Sequence, residues 1–354
     1  MFCGEKINEV LKMANGKQKK SDMNSNEKNI RTHKKKKKMS KKKKIILLVI
    51  VNVFVILILL GFLLYEYLLG GLNRDEITQD FSELGIDSST NEQITGTGIE
   101  NIALFGVDSR KDTFTGLSDS IIIASINRKT GVVKLTSFAR DTQVEIDGHG
   151  TQKINAAYSY GGPELAIKTL NQNFNMNIKD YVTINMRELI KAIDAVGGVT
   201  IEITETERIA ANNLMVEMSN NEPRIKKSGT VTLTGAQATA YCRIRKIDSD
   251  FIRTDRQRKV LESLFNKAKT LSLPKLLETV HIITPMVKTS LDNDEIISLS
   301  KVLTIDGAKM ESLRFPHDNT NYKSENYNIV YDLKQAADEL HKFVFDDIRP
   351  DLKQ

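Results

Sequence analysis

Residues 45–65, IILLVIVNVFVILILLGFLLY, run for 21 positions without a charge, and Asn52 is their one strongly polar side chain. As a helix rising about 1.5 Å per residue, the run is roughly 30 Å long, the thickness of a bilayer's hydrocarbon core. A secretory signal is the competing reading. The run is long for one, however, and Glu66 and Tyr67 follow it in place of a small-residue cleavage site. Lysine blocks at Lys34–Lys38 and Lys41–Lys44 stand immediately before it. Positive charge on that flank predicts that the N-terminal side stays in the cytoplasm and the rest of the chain is exported and tethered. One transmembrane helix at 45–65 therefore divides the chain.

Residues 1–44 hold 16 lysines or arginines against 4 acids and little apolar surface, so they read as a disordered basic cytoplasmic tail. The tail is a topology signal, with attraction to anionic lipid headgroups as its functional reading. Met39 opens MSKKKKIILLVI, which would serve equally as a protein start. Beyond the tail the balance reverses, with 35 basic and 41 acidic side chains. The high pI belongs to the tail, and the body has no charge signature of a nucleic-acid binder. The two cysteines, Cys3 and Cys242, fall on opposite sides of the expected membrane and make no disulfide framework. Five scattered histidines show no zinc spacing.

Residues 66–98 are polar and read as an extracellular stem, with a helix around 75–84. From residue 99 to about 345 the pattern is that of one folded domain. Ile102–Val107, Ser120–Ile126 and Val132–Phe138 are apolar runs of strand length, the last two joined by the turn-like Asn127–Gly131. A helix begins at Gly162 with Leu165, Leu170 and Phe174 on one face. Another covers Arg187–Val196 and stops at Gly197-Gly198, before a strand at Val199–Ile203. Residues 204–230 are polar and read as a long surface loop. Thr234 caps a short helix from Gly235 to Tyr241, and Thr254–Leu271 forms a long one. Its Val260, Leu261, Leu264, Phe265, Ala268 and Leu271 make a stripe that is most simply core. Strands alternating with helices give an α/β domain with helices on both faces of its sheet.

Residues 241–258, YCRIRKIDSDFIRTDRQR, concentrate Arg243, Arg245, Arg253, Arg256 and Arg258 among Asp248, Asp250, Asp255 and Gln257. Arginine keeps its charge at any working pH and offers a planar fork of donors that suits phosphate oxygens. A solvated, salt-bridged helix face is the plain alternative. Tyr241, Cys242 and Ile244 alternate with the first two arginines, which places Arg243 and Arg245 on an ordered element. Upstream, Asp108 ends a strand and Asp119 follows eleven residues later, just before the next. Two carboxylates with no His or Cys nearby suit a hard cation such as Mg²⁺, although aspartates at strand ends also cap turns. Arg140 and Asp141 follow the third strand, and Lys153 opens KINAAYSYGG.

In order, GVDSR, SDSIIIASIN, the Arg140-Asp141 pair, KINAAYSYGG, DAVGGV, LTGAQATAYCRIR and a D-x-D-x-x-R…RQ run resemble the LytR–CpsA–Psr family across about residues 99–270. The basic tail and single span match that family's topology. The resemblance implies an α-β-α domain with a central mixed sheet. It also implies a membrane-tethered enzyme of cell-wall assembly that takes a glycopolymer such as teichoic acid from a polyprenyl pyrophosphate carrier to peptidoglycan. The bond formed would be a phosphodiester to a muramic acid hydroxyl, with polyprenyl phosphate leaving. By match to the motifs, Asp108 and Asp119 would hold Mg²⁺. Arg140, Arg243 and Arg245 would grip the pyrophosphate, and Arg253 and Gln257 would complete the pocket. Asp250 would orient an arginine or accept a proton, and Arg110, Lys153 and Arg256 would contact substrate. Thr239 and Cys242 replace the family's usual Leu and Val. An apolar tunnel for the prenyl tail should adjoin the arginines; Ile121, Ile123 and Leu264 are candidates to line it, though ordinary core accounts for each more simply. A membrane-anchored regulator and a non-catalytic carrier-binding protein are the alternatives.

Overall fold

The computed structural model describes residues 70–351 apart from 72, 108–113, 219–220 and 249. The basic tail and the apolar run at 45–65 lie outside those residues, as do Asp108 and Arg110. Among the described residues no helix is long and apolar enough to cross a membrane.

In chain order the elements are β1 (Asn73–Arg74), α1 (Ser88–Thr97), β2 (Ile99–Val107), β3 (Ser118–Asn127), β4 (Val132–Phe138), β5 (Gln143–Ile146), β6 (Gly150–Lys153) and α2 (Ala156–Phe174). There follow β7 (Asp180–Asn185), α3 (Met186–Ala195), β8 (Val199–Ile203), α4 (Glu205–Glu217), β9 (Gly229–Leu233), α5 (Gly235–Cys242) and α6 (Asp250–Lys269). The remainder is α7 (Leu273–Ile283), β10 (Val287–Thr289), α8 (Asn293–Ser300), β11 (Lys309–Phe315), β12 (Tyr322–Glu325), β13 (Asn328–Tyr331) and α9 (Leu333–Asp346).

Seven strands form a mixed sheet in the order β1-β10-β7-β2-β3-β4-β11. β2, β3 and β4 run antiparallel as a meander, while β2 with β7 and β4 with β11 pair in parallel. β2, β4, β7 and β11 therefore point one way, and their carboxyl ends meet at one edge of the fold, where α/β sheets place their sites. Side chains alternate between the faces. Ala103, Phe105, Ile121, Ile123 and Phe138 pack with Leu170 and Phe174 of α2 and Leu340 and Phe343 of α9. Leu104, Ile122, Ala124 and Leu135 turn the other way, toward Leu261 and Phe265 of α6.

Three sequence expectations change. Residues 73–98 are not a stem: β1 joins the sheet, Leu84 and Ile86 belong to the main core, and the helix is at Ser88–Thr97 rather than 75–84. The expected loop at 204–230 contains α4, capped by Thr204 and Glu207 in a reciprocal capping box. The helix expected from Gly162 begins a turn and a half earlier and breaks at Gly161-Gly162, where Gly162 takes φ 64° and Pro163 restarts it.

Candidate active site

Asp119 is the second residue of β3, and Arg140 lies two residues past the end of β4. Antiparallel pairing of Ile121 with Phe138 brings them together at the converging strand ends. Arg140 Nη1 donates to Asp119 Oδ1 at 2.7 Å. Arg140 Nε lies 3.6 Å from Asp141 Oδ2, and Lys153 Nζ donates to Asp141 Oδ1 at 2.6 Å. Arg245 Nη2 stands 3.7 Å from Asp119 Oδ2. Asp119 and Asp141 thus hold three cations, Arg140, Lys153 and Arg245, in one cluster.

α5 delivers the arginine pair. Thr234 and Gln237 close a capping box at its start, and Gly235 packs so tightly that a Cβ would lie 2.0 Å from the Ile190 carbonyl oxygen of α3. Its side chains are buried along the whole helix, so its last turn is fixed by core packing. The chain leaves α5 at Arg243, half-buried, and runs over buried Ile244 to exposed Arg245. Burial pushes the Cys242 thiol up to about 12, which leaves it an inert packing group.

Arg253 and Gln257 come from α6. Arg253 is 2 % exposed, and its Nη2 donates to the Asp119 backbone carbonyl at 3.3 Å, tying α6 to β3. Asp250 is the first residue of the same helix. Arg258 is buried too and donates to Ser137 and Asp255, pinning α6 across β4. Arg256 departs from its expected role as a substrate contact. It is 2 % exposed, with Nε on Glu207 at 3.0 Å and Nη1 on Asp248 at 3.0 Å and on the Ile244 carbonyl at 3.3 Å; Nη2 also pairs with Asp248. Burial opposes its charge, but Asp248 and Glu207 outweigh that and hold its pKa above the ordinary value. Arg256 is therefore the internal brace of the 243–248 segment.

Two cavities open on this constellation. One, of about 560 Å³, is lined by the charged and polar Asp119, Arg243, Arg245, Arg253 and Gln257, and by Ile209, Asn213, Leu214 and Glu217 of α4. An apolar one of about 590 Å³ lies between the sheet and α6, α7 and α8, lined by Leu104, Ile122, Val182, Leu261, Leu264 and Phe265 among others. Asp119, Cys242 and Gln257 line both, so the cavities meet there. The α6 stripe read as core faces this apolar space. Of the three tunnel candidates, Leu264 lines it; Ile121 and Ile123 point into the core on the opposite face of the sheet. The β-strand period decides this, because Ile122 between them takes the cavity side.

Among the described residues no three Asp, Glu, His or Cys side chains form a ready metal cage. Asp119 contributes carboxylate oxygens with its side chain 23 % exposed, the donor type a hard cation prefers. One described carboxylate already paired to an arginine makes no all-protein metal site, and a Mg²⁺ ion there would have to share its coordination with a bound anion. Asp108, the second expected ligand, and Arg110 fall outside the described residues; Val107, just before them, pairs with Ser118 beside Asp119.

The site thus joins an arginine-bearing cavity to an apolar one. The chain belongs to the LytR_cpsA_psr family, whose model matches residues 73–342. It is 38% identical over 208 residues to the polyisoprenyl-teichoic acid–peptidoglycan teichoic acid transferase TagU of Oceanobacillus iheyensis, covering 56% of this chain and 61% of that protein. To the TagU of Halalkalibacterium halodurans it is 33% identical over 234 residues, 65% of this chain and 73% of that one. Among solved structures, TagT bound to LIIa-WTA superimposes with TM-score 0.58 at 26% identity, and Bacillus subtilis TagT with 0.56 at 25%. Each covers 71% of this chain and 91% of the other.

Proposed function

We propose that this chain transfers a glycopolymer from a polyprenyl diphosphate carrier to peptidoglycan, working on the outer face of the membrane in which residues 45–65 anchor it. The observation that carries the reading is the junction of the two cavities at Asp119, Cys242 and Gln257. A carrier lipid has one dense anionic head on one long apolar tail, and the junction offers arginines on one side and aliphatic walls on the other. The names of the TagU relatives and the ligand of TagT, 26% identical, point to the same substrates.

In this reading the prenyl tail enters the apolar cavity, and the diphosphate rests among Arg140, Arg243, Arg245 and Arg253. A peptidoglycan hydroxyl attacks the sugar-bearing phosphorus, a new P–O bond forms, and the bond to the bridging oxygen breaks. The lipid leaves as a monophosphate carrying that oxygen. The hydroxyl proton passes to solvent or to a carboxylate of the site, Asp250 being the candidate on the first turn of α6. Phosphoryl transfer leaves the protein mainly positioning and charge neutralisation, which fixed guanidinium groups supply without reorganising. Mg²⁺ would be held by Asp119, with Asp108 as the expected second ligand, and would act as a Lewis acid on the phosphate oxygens. Lys153 would hold Asp141, and through it Arg140, in place.

The test incubates the purified chain with a polyprenyl-diphosphoryl glycan labelled in its sugar and with peptidoglycan, with and without Mg²⁺. Equal amounts of released polyprenyl phosphate and wall-bound label support transfer. Lipid that binds but is never cleaved would reduce the chain to a carrier-binding protein. A C-terminal alkaline phosphatase fusion that stays inactive in cells would remove the outer-face placement.

A further inference from the structure

The β12–β13 hairpin ends in a turn that packing does not explain. Its two loop residues, Asn326 and Tyr327, take φ 49° and 63°, as a type I′ turn demands. Asparagine tolerates this conformation, and glycine is the favoured partner in the second position. A bulky residue there costs about 1–2 kcal/mol. Tyr327 is 90 % exposed, so its ring recovers nothing by burial within the chain. At the foot of the same hairpin, Tyr322 is 43 % exposed and stands edge-on to Phe251, with ring centroids 5.1 Å apart.

The hairpin is fastened to the site from two sides. Phe251 follows Asp250 on the first turn of α6, two residues before Arg253. On the other side Ile329 N donates to the Asp141 carbonyl at 2.8 Å, and Ile329 bridges to Thr142. The hairpin thus stands beside the segment that carries Arg140 and Asp141. Its inward residues, Ile329 and Tyr331, join the core on the Phe105–Ile121 face of the sheet. The apolar cavity lies on the opposite, Leu104–Ile122 face.

That placement has a stereochemical meaning. Attacking and leaving oxygens lie roughly in line in phosphoryl transfer. If the lipid phosphate departs toward the apolar cavity, the hydroxyl must arrive from the other side, which is where the hairpin stands. Exposed tyrosine faces suit the carbon–hydrogen faces of pyranose rings, with the phenol free to hydrogen-bond hydroxyls. We propose that the β12–β13 hairpin is the docking surface for the acceptor, a peptidoglycan glycan strand whose sugar rings lie against Tyr327 and Tyr322. The proposal rests on the transfer reading of the arginine site. A bilayer headgroup layer also accepts tyrosines, but the hairpin packs its Ile329 and Tyr331 on the sheet face opposite the one that lines the apolar cavity.

The chain has no tryptophan, so Tyr327→Trp in the full-length protein in nanodiscs gives a single indole reporter. Glycan strands freed of their peptides should shift its emission to the blue and saturate. Tyr327→Gly should raise the acceptor KM about tenfold, the size of one lost aromatic contact, without lowering Tm. An indole indifferent to strands that the wild type accepts, or a Tyr327→Gly protein with wild-type acceptor KM, would overturn the proposal. So would quenching by brominated lipid in the absence of strands, which would make the hairpin a membrane surface. Wild-type protein that transfers to no strand would sink the transfer reading instead, and a saturable indole shift of the Tyr327→Trp protein with the same strands would still support glycan docking.

Discussion

Replacing Arg256 by methionine should destabilise the domain rather than merely slow it. The guanidinium is 2 % exposed and answers two carboxylates, Glu207 with its side chain 12 % exposed and Asp248 at 23 %. Removing one member of a buried ion cluster leaves the other charges uncompensated, which costs about 3–5 kcal/mol. Asp248 retains some water, so the lower end applies, about 3 kcal/mol. For a domain of this size each kcal/mol moves Tm by about 2–4 °C, giving a fall of roughly 6–12 °C. A thermal melt followed by circular dichroism reads this directly. Adding Glu207→Gln to Arg256→Met should recover part of the loss, because one orphaned charge disappears with it. An Arg256→Met protein that melts like the wild type yet has lost turnover would refute the reasoning and return Arg256 to the substrate.

Gly235→Ala should be as damaging from a smaller change, since its Cβ would meet the Ile190 carbonyl at 2.0 Å; α5 must shift, and a cost of about 3 kcal/mol with displaced Arg243 and Arg245 should appear as lowered Tm and weakened carrier binding. Leu264→Trp fills part of the apolar cavity without touching the charged groups, so Tm should hold while binding of a polyprenyl diphosphate falls at least tenfold; unchanged binding would place the tail elsewhere. Burial raises the pKa of Asp180 above 3.8 despite the hydrogen bond from Ser290. Its ionisation is then harder in the folded than in the unfolded chain, so this group lowers stability as pH climbs from about 3.8 through the folded value. Asp180→Asn should therefore gain in Tm relative to wild type above that window and show no gain below it, measured by melts across pH.

That Asp119, Arg140 and the Arg243–Arg245 pair come together was legible because the signals are local. Arginines alternating with apolar residues after a capped short helix, and aspartates and arginines at strand ends, place themselves once strand ends converge. What sequence could not provide depended on distance. SIIIAS reads as an unbroken apolar run, and nothing in it says whether Ile121 or Ile122 faces the cavity; one residue of register decides it. The α6 stripe has the same composition whether it meets a packed core or an empty channel. Arg256 differs from Arg253 only in what surrounds it, and Glu207, its main distant partner, comes from α4, a segment polar enough to pass for a loop. There a local signal did exist: Thr204 and Glu207 have the spacing of a capping box ahead of a helix. Residues 73–98 are hard to read because their apolar residues are sparse in sequence, yet Leu84, Ile86 and Ile94 among them are buried.

The measurement closest to the central claim is single-turnover release of polyprenyl phosphate by wild type and by Arg140→Ala, with peptidoglycan present and carrier lipid bound to both. A positioned cation aimed at developing phosphate charge is worth about 10²–10³ in rate. Arg140→Ala should therefore retain the carrier in its apolar cavity, fold normally and release lipid phosphate at least a hundredfold more slowly. Release at the wild-type rate would mean that the arginine cluster at the strand ends is not where the phosphodiester is made.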